Sequence, residues 1–235
     1  VSPQALAGGG GRPRPGEISL ASGGILFLDE LPEMGREALE TLRQPLEERC
    51  VTITRLQGAV TYPANFQLVA AMNPCPCGHF PDRGRCSCTP AQIRKYLGRI
   101  SGPLLDRIDI CVEAAPVSYD EIRVNKGGES SASIRSRVAR ARKLQARRFR
   151  GLGIRCNAEM TGAMIRRFCV LDTESERLLE EVYQKKGMSA RTYDRILKVA
   201  RTIADLENEE RIRCAHLYEA LSFVSAKEQF WGRQE

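Results

Sequence analysis

"GGILFLDELPEM", residues 23–34, is the stretch on which the reading of the whole chain turns. Four apolar residues, Ile25-Leu26-Phe27-Leu28, end abruptly in Asp29-Glu30. A short all-apolar run suits a strand buried on both faces of a parallel sheet. Open α/β sheets bind ligands beyond the C-terminal ends of such strands. Two adjacent carboxylates at a strand end point in different directions, because successive strand side chains alternate. One can hold a Mg²⁺ shell while the other polarises an attacking water, the acidic half of a nucleotide-hydrolysing site. The same pattern also fits an ordinary strand end closed by polar residues. The phosphate-cradling half, G-x-x-x-x-G-K-[ST], does not occur in the sequence.

Composition narrows the field. A chain of 235 residues suffices for one large or two ordinary domains. At 42% hydrophobic and 28% charged residues it has the composition of a globular protein. No apolar run approaches bilayer-spanning length and no secretory signal opens the chain, so a cytoplasmic protein with no membrane partner is expected. The chain starts at Val1 in a Gly/Pro-rich stretch, as a fragment would. Nine cysteines, an odd number without an export signal, point to reduced thiols or metal ligands rather than disulfides. The net charge of +7 is local: residues 134–150 (IRSRVARARKLQARRFR) hold eight basic residues and no acidic one, leaving 7 − 8 = −1 elsewhere.

The organisation reads as α/β followed by all-α. Residues 8–17, "GGGGRPRPGE", form a turn-rich loop without a Gly-Lys-Ser/Thr ending. Residues 33–48 place Leu39, Leu42 and Leu46 at helical spacing, with Pro45 as a kink near the end. Residues 51–66 are rich in β-branched side chains around Gly58 and read as a hairpin. "FQLVAAMN", residues 66–73, is a second buried strand ending at Asn73. A cysteine-rich insertion, a helical stretch at 92–97 and a partly strand-like segment at 104–115 follow. Composition shifts at "NKGGESSAS", residues 125–133, an interdomain linker between domains at 1–124 and 134–235, the second entirely helical.

Four further features carry chemistry. Asn73 at a strand end could hydrogen-bond both a γ-phosphate and a water, or simply turn the chain before Pro74. Arg107 suits charge stabilisation on a transferring phosphoryl group, or an ion pair with Asp106 or Asp109. Ser189 reads as a helix N-cap with Met188 and Tyr193 as a hydrophobic staple, which puts Arg191 in a first turn. The helix dipole disfavours a cation there unless an anion such as phosphate joins it. Cys75, Cys77, Cys86 and Cys88 form C-x-C-x₈-C-x-C, two close pairs that can meet around one tetrahedral zinc. One-residue spacing is tighter than the usual C-x₂-C, so four reduced thiols on a loop is the alternative, with His79 a possible substitute ligand. Cys50, Cys111, Cys156, Cys169 and Cys214 read as isolated small core residues. The basic segment at 134–150 could bind phosphate backbone, DNA above all, without sequence preference because it has no interleaved aromatics.

"PRPGEISLASGGILFLDELPEM", "VAAMNPCPCG", "SGPLLDRIDI" and "SARTYDRILKVARTIADLE", in this order, resemble the magnesium-chelatase-like AAA+ ATPases, specifically their ComM (YifB-like) competence-helicase branch. The likeness covers roughly residues 3–220 and includes the cysteine insertion. It implies an α/β fold, a partial AAA+ parallel-sheet core followed by an all-α lid. It implies Asp29 and Glu30 as Walker B, Asn73 as sensor 1, Arg107 as an arginine finger acting in trans, and Arg191 as sensor 2. The 51–66 hairpin would be the insertion before sensor 1, which faces nucleic acid in related motors. ATP and Mg²⁺ are the implied cofactors, a self-associated ring (a hexamer at full length) and DNA the implied partners, and branch migration the implied task. The phosphate loop would lie upstream, so the isolated chain is expected to be inactive. Ser22 departs from the His of many members, and nothing is carried past about residue 220. A chelatase motor subunit and a non-catalytic zinc-stabilised nucleic-acid-binding module are the competing expectations.

Overall fold

A computed structural model describes residues 1–11, 13–55, 58–115, 119, 123 and 128–232. The chain divides into two compact units, residues 1–108 and 109–232, each described by itself below.

The first unit opens with α1 (Pro3–Ala7), capped by the Ser2 hydroxyl, and a two-residue antiparallel ladder, β1 (Gly8–Gly9) with β2 (Arg14–Pro15). Gly16 follows where a Cβ would lie 2.3 Å from the Leu6 carbonyl oxygen, so only glycine fits the turn into α2 (Glu17–Leu20). β3 (Ile25–Leu28) then pairs in parallel with β6 (Gln67–Ala70), Leu28 opposite Ala70. Among the described residues this sheet has two strands. The strand expected to be buried on both faces is buried on one: Leu26 and Leu28 point into the core, while Ile25 and Phe27 are 63% and 59% exposed. Strand alternation sends the two pairs to opposite faces, and the described residues cover one of them.

Between β3 and β6 the expected single kinked helix is broken instead. A 3₁₀ turn (Leu31–Met34) leads to α3 (Arg36–Glu40) and α4 (Arg43–Glu48). Pro45 would clash with the carbonyl four residues back in a continuous helix; the chain restarts at Arg43, so Pro45 falls in a first turn, where its missing N–H is no loss. The hairpin forms as β4 (Cys50–Arg55) and β5 (Gly58–Pro63), with Val51 and Ile53 inward and the Thr52 and Thr61 hydroxyls 3.0 Å apart outside. Its tip, residues 56–57, lies outside the described residues. After the cysteine loop come α5 (Pro90–Leu97), with a Thr89/Gln92 capping box, and α6 (Gly102–Leu105). Residues 106–115, expected to be partly strand-like, hold no strand: a strand needs a neighbouring ladder, and none of the described residues pairs with this segment.

The second unit is helical. Part of the expected linker, residues 125–127, lies outside the described residues, and α7 (Ser131–Arg148) already begins within it, capped by the Ser130 hydroxyl. α8 (Gly162–Phe168), α9 (Thr173–Lys186), α10 (Ala190–Leu206) and α11 (Cys214–Gly232) follow. Ile165, Leu179, Ile196, Leu197, Ile212 and Leu217 close one apolar core around α10. Fully burying side chains of this size contributes about 1.5–3 kcal/mol each. Of the five cysteines read as core residues, Cys169 is buried and Cys50, Cys111, Cys156 and Cys214 are partly exposed. No helix among the described residues is long and apolar enough to cross a membrane.

Candidate functional site

The parallel pairing of β3 with β6 decides what meets at the sheet's C-terminal end. The ladder runs one step past the strands: the Ala71 N–H donates to the Leu28 carbonyl at 2.9 Å, and the Leu31 N–H donates back to the Ala71 carbonyl at 3.1 Å. Asp29 and Glu30 therefore leave one strand beside the segment that carries Asn73 out of the other, and all three are exposed. The carboxylates lie beyond the strand, so a turn sets their directions instead of strand alternation. Glu30 sits in the left-handed region (φ 49°, ψ 47°), a conformation costing a non-glycine residue about 1–2 kcal/mol. Its N–H donates to Asp29 Oδ1 at 2.9 Å and its carbonyl accepts from Glu33 N–H at 2.8 Å. Such strain is concentrated at functional sites. Strand β6 ends at Ala70, three residues before Asn73, which stands on a loop. At the strands' other end the Ser22 hydroxyl accepts from the Asn65 N–H at 3.2 Å.

Arg107 follows α6 and is folded back onto its own unit. Its Nη1 donates to the Pro103 carbonyl at 2.6 Å and its Nη2 pairs with Glu47 of α4. The side chain is 15% exposed. Arg191 belongs to the second unit, at the second position of α10, behind the Ser189 cap whose hydroxyl accepts from the Thr192 N–H at 3.2 Å. The first turn of α10 holds no acidic residue, so its positive dipole end and the guanidinium both favour an anion. Met188 and Tyr193, the expected staple, both join the core cluster.

The four cysteines converge. Sγ of Cys75 lies 3.4 Å from that of Cys77 and 3.8 Å from that of Cys86, and Cys77 to Cys86 is 3.6 Å. All four Sγ atoms lie within 4.8 Å of one another. Zinc–thiolate bonds of 2.3 Å in a regular tetrahedron require edges of about 3.8 Å, so the donor set fits one such ion. The ring of His79 is outside the cluster; its backbone instead hydrogen-bonds Cys77, the main cause that lowers that thiol to about 5. Burial, followed by the neighbouring sulfurs, pushes Cys88 up to about 12. Four thiolates this close repel one another, and a divalent cation removes that repulsion.

The basic segment divides into two roles. Arg135, Arg140, Arg142, Lys143, Arg147 and Arg150 are exposed, and Arg137 pairs with Glu129 at 2.9 Å. Arg148 instead turns inward to the fully buried carboxylate of Asp205 at 2.7 and 2.5 Å. Asn157 and Arg201 complete this network at 2.8 and 3.1 Å. Sequence reasoning did not single out the network. The available signal was Arg201 and Asp205 four residues apart on the apolar face of α10.

The family described as magnesium chelatase, subunit ChlI, matches residues 1–122, and the family described as its C-terminal part matches residues 128–224. The chain is 46% identical to the competence protein ComM of Haemophilus influenzae, over 95% of this chain and 43% of that protein. It is 47% identical to the protein YifB of Salmonella typhimurium and 46% identical to that of Escherichia coli, in each case over 93% of this chain and 42% of the relative. The chain thus spans about two fifths of the length of these curated relatives.

Proposed function

The chain belongs to the magnesium-chelatase ChlI family, and from that premise we propose that it is the C-terminal portion of a AAA+ ATPase that forms a ring, a hexamer, and moves on DNA. The observation that carries the reading is the meeting of Asp29, Glu30 and Asn73 beyond the ends of two adjacent parallel strands. In this reading a phosphate loop elsewhere in the longer protein completes the site. Mg²⁺, when bound with ATP, would neutralise charge between the β- and γ-phosphates. Asp29 holds its hydration shell, Glu30 takes the proton of the attacking water, and the Asn73 amide orients that water against the γ-phosphate. Arg107, released from Glu47, stabilises the transferring charge in a neighbouring subunit, and Arg191 binds phosphate at its helix N-terminus. In the full-length protein, Glu30→Gln is expected to lower ATP turnover about 10²- to 10⁴-fold while ATP still binds. Turnover within a few-fold of the parent would remove Glu30 from the chemistry.

The likeness to a competence protein makes DNA the proposed track, and branch migration during recombination or transformation the proposed task. The exposed arginines of α7 support this: they form a compact cationic face without aromatic stacking partners, suited to non-specific backbone contact. Duplex binding by this chain is expected to weaken linearly in log–log salt plots. Replacing Arg140, Arg142 and Lys143 by glutamine should reduce the slope by about 3. An unchanged slope would assign the face to protein contacts instead. The family's description favours a second reading, a chelatase motor subunit, in which DNA would leave the ATP turnover of the full-length protein unchanged. The metal proposed at Cys75, Cys77, Cys86 and Cys88 is zinc, on the tetrahedral fit of the sulfurs.

A further inference from the structure

Asn73 lacks the support its proposed role needs. Residues 71–73 belong to no helix or strand, and the last ladder contact on the upstream side is at Ala71. On the downstream side only Pro74 separates Asn73 from Cys75, which is 0% exposed. Two residues span at most about 7 Å, so whatever pins the Cys75 sulfur restricts Asn73 as well. The cysteine loop also returns to Asn73. Gly78, in a turn at φ 80° closed by its N–H on the Cys75 carbonyl at 3.0 Å, lies against the Asn73 amide: a Cβ there would stand 3.8 Å from both Cγ and Oδ1. The Phe80 N–H donates to Cys75 Sγ at 3.4 Å, and the buried Tyr96 hydroxyl hydrogen-bonds the Asn73 backbone from α5. Most of these restraints converge on the first cysteine or its turn. Without a cation, the 75–88 loop has only weak sulfur contacts and short turns to hold it.

We propose that a thiophilic divalent cation of the zinc class, bound by Cys75, Cys77, Cys86 and Cys88, positions Asn73 at the sheet end, so that metal occupancy sets whether the amide is aligned for hydrolysis. The proposal rests on the metal and ATPase readings above and assigns the cysteine loop a positioning role within that site. Binding of nucleotide would persist without the metal, because the phosphate loop and Asp29 do not depend on it; the hydrolytic step would not.

The test needs no nucleotide, so its outcome is independent of whether the full-length protein hydrolyses ATP. Amide exchange at Met72 and Asn73 is compared in zinc-loaded and chelator-treated wild-type protein, with zinc then added back. Exchange roughly tenfold slower with metal, and restored by re-addition, is the expected result. In cobalt(II)-loaded protein, Asn73→Asp should shift the visible bands of the four-thiolate site, which a metal serving only to hold its own loop together would not do. Protection confined to residues 77–88, or cobalt bands unmoved by Asn73→Asp, would overturn the positioning role. Failure to retain any metal would overturn the proposal at its base.

Discussion

Asp205→Ala should destabilise the helical unit by about 3–5 kcal/mol, measured by urea unfolding followed through helical circular dichroism. The carboxylate is fully buried and takes two charge-assisted bonds from Arg148, one from Arg201 and one from the Asn157 amide. Arg201 is itself 2% exposed and spends its other donors on the Glu209 and Glu210 carbonyls at 2.5 and 2.7 Å. Deleting Asp205 leaves cationic groups without a counter-charge in a dry interior, and that penalty dominates the lost bonds. The exposed Lys185–Glu181 pair is the control: its removal should cost under about 1 kcal/mol, because water already screens it. A loss at Asp205 no larger than at Glu181 would show that the network contributes nothing.

The same network sets a direction with pH. Burial alone would raise the Asp205 carboxyl; the hydrogen bonds from Arg148 and Asn157 outweigh it and hold the group below the usual carboxylate range. A folded value below the unfolded one gives stability that is fully present above the unfolded value, near 3.9, and lost as pH falls through the folded value. Acid unfolding of the parent should therefore steepen below about pH 4, and Asp205→Asn should flatten that limb.

The double substitution Cys86→Ser with Cys88→Ser should abolish retention of one metal equivalent per chain, read by mass spectrometry on protein purified without chelator. Structural four-thiolate zinc sites carry apparent binding energies of about 10–16 kcal/mol near neutral pH, far more than the sulfur–sulfur contacts provide alone. Serine hydroxyls do not replace thiolates for a soft ion, and two remaining sulfurs cannot close a tetrahedron. Because the ligands must be deprotonated, the parent should release its metal on acidification. If the parent holds no metal and all four thiols titrate freely, the cluster is four reduced cysteines and the insertion needs another explanation.

The Asp205 network and the Arg107 contact show where sequence reading stopped. Arg148 looked like one more cation of a basic run, yet its partner lies 57 residues away. Arg107 was read against its neighbours Asp106 and Asp109, and its ion pair is with Glu47, 60 residues back. Nothing within a few residues of either arginine encodes those partners.

The sequence by itself determined the features whose physics is local: the apolar run ending in Asp29-Glu30, the hairpin around Gly58, the Ser189 cap that puts Arg191 in a first turn, and the paired spacing of the four cysteines. Each depends on side-chain periodicity, capping or turn chemistry within about a dozen residues. Tertiary structure alone decided that Ile25 and Phe27 face outward, that Pro45 starts a new helix, that Glu30 turns left-handed, and that Arg148 serves the core rather than the surface. Those outcomes depend on which distant segments pack together and leave polar groups a partner, and no local pattern carries that information.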